Sequence, residues 1–329
     1  MIWMIKATGL ALVLFLLGCG QPSQEGKASR TLTYITSKEE FGGFGFIGEV
    51  RGSQFFENKF YISDSQNARV LRLDENLEPE IQMGRLGEGP GELLETASIF
   101  VIKDHIYVGG DKQQLLDFDN DGNLQNIIPL PGSQFQTRFV VWEEMFFISN
   151  RRDEKIIHVF DIQGKPLFQF GEPVDIKDPG ERRPRNINNL GLTRIEGQDY
   201  IVSVNLTEPL ISLYTMTGEL AYRKNLEDHV AVEARLAYRD AKHVRVPSSR
   251  SSSIGLFPDI QIEGDRLYVL VTTLEAPTNI LVFRLGKSNM AQEGIFQVDA
   301  RLLDSFTPAP DGYFLINRAN MLNIYKTEN

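Results

Sequence analysis

The chain has 329 residues, 42% hydrophobic and 24% charged, and a formal net charge of −10. That composition is ordinary for a folded globular protein, and the acidic balance excludes general phosphate neutralisation, so no nucleic-acid partner is expected. One Cys and four scattered His rule out an intrachain disulfide and argue against a His/Cys zinc site; no metal, cofactor or catalytic residue is assigned.

The first element is a leader. Lys6 supplies a positive start, Ala7 to Leu17 is apolar, and Gly18-Cys19 follows. This is the order and length of a secretory signal, and the apolar stretch is short for a membrane span. Residues 19–30 are small and polar and read as a flexible tether. Leu16-Leu17-Gly18-Cys19 resembles the lipobox of bacterial lipoproteins. The resemblance implies cleavage before Cys19 and acylation of that residue, which would anchor the chain to a membrane.

Residues 31–329 carry one phrase six times: an aromatic-led hydrophobic strand, a polar turn and a second strand. The phrases are Phe60-Tyr61-Ile62-Ser63, Ile106-Tyr107-Val108-Gly109, Phe146-Phe147-Ile148-Ser149, Tyr200-Ile201-Val202-Ser203, Leu267-Tyr268-Val269-Leu270 and Tyr313-Phe314-Leu315-Ile316. Spread over 31–329, six units give about 50 residues each, the period of a four-stranded propeller blade. A strand precedes each phrase, as in Ile99-Phe100-Val101-Ile102, Phe139-Val140-Val141-Trp142 and Ile260-Gln261-Ile262. Another follows, as in Val70-Leu71-Arg72-Leu73 and Ile157-His158-Val159-Phe160, and then a turn rich in Asp, Asn and Gly at Asp74, Asp119 and Asp161. Such residues tolerate the φ > 0 positions of tight hairpins. The last unit lacks a fourth strand, and Thr31-Leu32-Thr33-Tyr34-Ile35 lacks a hairpin. The predicted fold is therefore an all-β, six-bladed β-propeller with four antiparallel strands per blade, the last closed by the N-terminal strand.

Tyr61-Ile62-Ser63-Asp64-Ser65-Gln66-Asn67-Ala68-Arg69-Val70-Leu71-Arg72-Leu73-Asp74 resembles an NHL-type propeller repeat, and Gly84-Arg85-Leu86-Gly87-Glu88-Gly89-Pro90-Gly91-Glu92-Leu93 is similar to the Gly-rich segment between blades of that group. With the lipobox, the whole resembles the six-bladed propeller lipoproteins of Bacteroidota-like bacteria. The resemblance implies an outer-membrane lipoprotein of the cell envelope, periplasmic or surface-exposed. It is strongest over 60–125, and the spacing of Asp, Asn and Arg is lost in later repeats.

Strand alternation puts the connections between blades and the loops between second and third strands on one face. Both long insertions, Glu172 to Asn189 and Asn225 to Ile254, belong to that face, and Glu227 to His243 has helical composition. Long loops on a rigid ring are where binding residues usually sit. The candidate ligand-binding residues are Asp64, Asn67, Arg69, Arg85, Glu88, Arg151, Arg152, Arg182, Arg183 and Arg185. The five downstream arginines would suit carboxylate or phosphate groups, acidic sugars included; the alternative is a solvated surface paired with Asp153, Glu154 and Glu181. Asp64, Asn67 and Arg69 are ligand groups or partners of the turn's own backbone. Gly87-Glu88-Gly89-Pro90-Gly91-Glu92 lacks the Lys-Ser/Thr pair and following helix of a phosphate loop and reads as a tight connection. Asp117, Asp119 and Asp121 open like a calcium loop, but its twelfth position is Ile128, and recurrence at Asp74 and Asp161 favours a hairpin turn.

Three functions remain. The first is a non-catalytic, membrane-anchored binding module, expected to be monomeric, that presents its face to a glycan, peptide or envelope protein. The second is a propeller-type hydrolase or lyase with carboxylates and arginines at the central channel. An enzyme should place paired carboxylates or a His at the channel with perturbed pKa values; a binder should show aromatics and neutral polar groups. A third, a structural part of a larger envelope complex, would show an exposed apolar patch at one rim.

Overall fold

A computed structural model describes residues 29–110, 112–131, 138–150, 154–174, 187–245, 255–271, 277–300, 303, 305–318 and 320–328, with backbone alone for 238–245. Cys19, Arg151, Arg152, Arg182, Arg183 and Arg185 lie outside these residues, as do the leader and positions 19–28 of the tether.

The fold is an all-β propeller arrangement. After β1 (Ser29–Lys38) come four meandering four-stranded blades: β2 (Val50–Phe56) to β5 (Pro79–Met83) through β3 (Lys59–Asp64) and β4 (Arg69–Leu73); β6 (Thr96–Ile102) to β9 (Leu124–Pro129) through β7 (His105–Gly110) and β8 (Gln114–Phe118); β10 (Phe139–Trp142) to β13 (Pro166–Phe170) through β11 (Met145–Ser149) and β12 (Ile157–Asp161); and β14 (Asn188–Ile195) to β17 (Leu220–Asn225) through β15 (Gln198–Asn205) and β16 (Leu210–Thr215). A helix, α1 (Val230–Arg245), covers the step to the last strands and matches the helical composition noted above. Then come β18 (Ile260–Glu263), β19 (Arg266–Val271), β20 (Thr278–Gly286), β21 (Asn289–Val298), β22 (Ser305–Ala309), β23 (Tyr313–Arg318) and β24 (Met321–Thr327). These seven join β1 in one eight-stranded sheet of order β18-β19-β20-β21-β1-β24-β23-β22.

The eight-stranded sheet departs from the expected separate blades for a local reason. β1 begins two residues earlier than the sequence suggests. Ser29–Leu32 pair in parallel with Ile295–Val298 of β21, and Leu32–Lys38 then run antiparallel along β24. A single strand thus serves two neighbours.

The hydrophobic phrases read continuously because both faces of the strand are covered. Alternate side chains enter different clusters: Phe60 and Ile62 pack with Leu315 and Leu322, whereas Tyr61 packs with Val101 and Ile106. The pattern repeats round the ring. Tyr107 and Leu115 meet Phe139 and Phe146, Phe147 and Val159 meet Ile201 and Tyr214, Val202 and Leu213 meet Val269 and Leu281, and Tyr268 and Leu270 meet Phe306 and Phe314. Aromatic edges supply part of the contact, with Tyr107 T-shaped on Phe146 at 5.2 Å between centroids and Phe170 on Tyr214 at 5.3 Å.

The polar turns between third and fourth strands share one device. Asp74 Oδ1 accepts the N–H groups of Asn76 and Glu78, Asp119 Oδ1 those of Asp121 and Asn123, and Asp161 Oδ1 those of Gln163 and Lys165. Gly122 and Gly164 close two of these turns at φ 82° and 81°, a region open to glycine. A register shift adjoins each turn, at Leu73, Phe118 and Phe160. The hairpin reading of these aspartates therefore stands over the calcium one.

Leu32 is 2% exposed and sits where β1 leaves β21 for β24. Leu32→Ala is expected to cost about 2–5 kcal/mol, seen as a lower denaturation midpoint at unchanged slope. The exposed neighbour Thr31→Ala should stay within about 0.5 kcal/mol of the parent. Equal effects at the two positions would argue against β1 as the closing element.

Candidate functional site

The inner edge of each meander faces a central channel. A cavity of 390 Å³ is lined by residues of β2, β6, β10, β14, β18 and β22. A second, of 340 Å³, opens where these strands begin, the end that also carries the 84–93 connection and the step through α1. Arg138 and Asn189 line both and mark the waist between them.

The inner strands have no backbone ladder to each other, so side chains bridge them. Gln54 takes both backbone groups of Val101, donating to its carbonyl at 3.0 Å and accepting its N–H at 2.8 Å. Gln261 donates to Ser53 O at 3.1 Å, and Asn189 to Phe257 O at 2.8 Å. Ser53 and Thr307 share a hydroxyl hydrogen bond. Arg138, immediately before β10, reaches across the channel and donates from Nη1 to Arg51 O at 3.0 Å.

Charge concentrates at the waist. Arg51 is held by Glu49 and Glu95, each at 3.1 Å. Asp259, immediately before β18 and buried, accepts the Phe306 N–H at 3.1 Å. Burial pushes its carboxyl up to about 6; the Arg138 charge and the Phe306 N–H pull the other way without cancelling it. Burial likewise lowers the Arg138 guanidinium below its ordinary value, against the attraction of Asp259. Among the described residues, no group of three or more His, Cys, Asp and Glu is placed to hold a metal ion.

The residues singled out from the sequence fall into three groups. Asp64, Asn67 and Arg69 come together as an internal network. Asp64 is fully buried, its Oδ2 accepts Arg69 Nε and Asn67 Nδ2 at 2.8 Å each, and its Oδ1 accepts the Gly48 N–H at 2.9 Å. Arg69 also donates to Phe44 O and Phe46 O, at 2.6 and 2.9 Å. The three hold the 44–48 segment onto the hairpin; the backbone they bind is that segment's and not, as the sequence alternative had it, the turn's own. Arg85 and Glu88 sit exposed on the 84–93 connection. There Arg85 pairs with Glu92 at 2.7 Å, and Glu92 accepts the Gly89 N–H at 2.8 Å, so the chain's own carboxylate occupies the glycine turn. Lys112 binds the same loop through the carbonyls of Glu88, Gly89 and Glu92. The third group, the five downstream arginines, is outside the described residues.

Arg138, Asp259, Asn189 and Arg51 were not picked out from the sequence. A signal was present: Glu49, Glu95, Arg138 and Asp259 each stand directly before an inner strand. Among the described residues, four inner strands are thus preceded by a charged residue, whereas Ile187 stands before β14. A separate cleft of 490 Å³ lies between β18–β21 and β22–β24, but Arg266 and Tyr268 within it already bind Glu293 and Glu263 at 2.7 and 3.0 Å.

Two outcomes check this geometry. Between pH about 4, where Asp ordinarily titrates, and about 6, the folded chain holds a proton on Asp259 that the unfolded chain has lost. Stability from this group therefore falls as pH rises through that window. Asp259→Asn should gain on the parent by about 3 kcal/mol between pH 4 and 7; a pH-independent difference in urea melts would contradict the assignment. Arg69→Met leaves Asp64 buried and unpaired, and about 3–5 kcal/mol of stability should be lost, measured by the same melts.

No known protein family matches the chain, and no curated protein matches its sequence. Solved structures do match in fold. A protein of Bacteroides fragilis assigned as exported is 11% identical with a TM-score of 0.54, covering 92% of this chain and 99% of its own. The Cps50 (Swd1) β-propeller domain of Myceliophteria thermophila is 10% identical with a TM-score of 0.53, covering 90% and 100%. The RRP9 WD40 repeats are 8% identical with a TM-score of 0.52, covering 89% and 100%. At these identities the likeness is one of β-propeller fold.

Proposed function

We propose that this chain is a six-bladed propeller lipoprotein of the NHL-like group, exported, anchored at the outer membrane through acylated Cys19, and built to bind a glycan, peptide or envelope protein on the channel face without catalysis. Support for six blades comes from the six strands lining the channel and the six hydrophobic clusters, one between each pair of neighbours. On this reading the eight-stranded sheet is two blades joined by β1. Support for export comes from the lipobox-like leader, and the Bacteroides fragilis neighbour is consistent with it.

The observation that carries the binding reading is the channel's lining. Amides, hydroxyls and the aromatic residues Phe55, Phe100 and Phe139 share it with aliphatic side chains and with Arg138, Asp259 and Glu263. Its buried carboxyl, Asp259, has an arginine, an amide and backbone groups as described partners rather than a second acid or base. The hydrolase or lyase reading draws on the same Asp259 and Arg138.

Full-length protein expressed in a Gram-negative host should carry a labelled acyl chain and fractionate with the outer membrane. Cys19→Ala should lose the label and be released. Screened against glycans and peptides by thermal shift, the protein should give hits whose stabilisation rises with ligand concentration, with each ligand recovered intact by mass spectrometry. A hit returned cleaved would transfer the protein to the enzyme reading.

A further inference from the structure

We propose that the channel waist is a carboxylate-recognition site for a uronic-acid-type sugar, with Arg138 as the anchoring cation and the 390 Å³ cavity holding the sugar body; this rests on the binding reading above. A guanidinium has five N–H donors. Among the described residues the Arg138 guanidinium has one hydrogen-bond partner, the carbonyl of Arg51, and the Asp259 charge attracts it besides. That bond stretches the side chain across the channel and leaves its remaining donors facing the two cavities it lines. The neighbouring cation, Arg51, is already neutralised by Glu49 and Glu95. Arg138 is therefore a fixed, half-dehydrated fork, the geometry that binds a planar carboxylate through two parallel hydrogen bonds.

The surroundings choose among anions. Asp259, Glu49 and Glu95 stand close by, so a doubly charged phosphate meets repulsion that a single carboxylate largely escapes. Asp259 adds a second element. Its carboxyl rests close to neutrality in energy, so an arriving carboxylate favours its protonated form, which then donates a hydrogen bond. Below the waist, the Ser53–Thr307 pair retains one hydroxyl hydrogen after its mutual bond, and Gln261 retains its carbonyl oxygen, since only its Nε2 is engaged. Phe55 and Phe100 supply apolar wall. A volume of this size falls within the range of small-molecule sites, and the mix of hydroxyl, amide and ring suits a pyranose.

The test is calorimetric titration of the full-length protein at pH 7 with glucuronate, with glucose and inorganic phosphate as comparisons. Glucuronate should bind one to one, and glucose and phosphate at least tenfold more weakly. Arg138→Met should weaken glucuronate binding at least tenfold. Asp259→Asn, which removes a charge but keeps a donor, should bind it as tightly as the parent or more tightly. Absence of glucuronate binding, equal binding of phosphate, or indifference to Arg138→Met each overturns the proposal. Should Arg138→Met fail to fold, the Asp259→Asn result decides, and weaker binding there overturns it. If glucuronate fails while other glycans or peptides still bind the face, the broader reading stands and this one falls; if nothing binds, both fall.

Discussion

The constraint on which this structure turns is the inner edge of each meander. A strand beside the channel is hydrogen-bonded on one side alone, and its other row of N–H and C=O groups meets no partner strand. Such edges are costly to bury and prone to wrong pairing. Here side chains that imitate a backbone take the role. Gln54 offers Val101 a carbonyl and an N–H, as a neighbouring strand would. Gln261, Asn317 and Arg138 each cap a carbonyl on another strand, and Asn189 caps that of Phe257 just before β18. The ring is thus held at its periphery by hydrophobic clusters and at its centre by polar crosslinks. The same crosslinks give the channel its chemical character.

That dual role explains why the waist is at once structural and receptive. Arg138 is oriented by the carbonyl of Arg51, yet one bond does not satisfy a guanidinium. Asp259 is oriented by Phe306, yet burial leaves it reluctant to carry charge. Each is held in place yet incompletely compensated, the condition under which a polar group contributes most to recognition.

Much of the fold was legible because its signals are local or periodic. The aromatic phrases have a fixed place in each repeat, the Asp-led turns bind their own backbone, and both announce themselves in a few consecutive residues. The latching of the N-terminal strand followed from counting strands. Its second pairing, with β21, did not, because four residues of parallel register leave no mark on composition. The candidate site was less legible for a related reason. Asp64, Asn67 and Arg69 are conspicuous in sequence because a tight network needs particular residues at fixed spacing, and that network proved internal. Arg138 and Asp259 lie 121 positions apart, in flanks that look unlike one another, and become neighbours only when the ring closes. What they share, a place directly before an inner strand, is visible once the strands are aligned by repeat.

β1 has a mechanical consequence. Its first described residue in the sheet is Ser29, and it runs against β21 over Ser29–Leu32 and against β24 over Leu32–Lys38. Tension arriving from the N-terminal side pulls along the strand axis, so each row of bonds in turn is loaded in shear instead of being peeled one by one. A fastening of this kind resists force far better than it resists heat, and it joins the two ends of the chain at the point where load would enter.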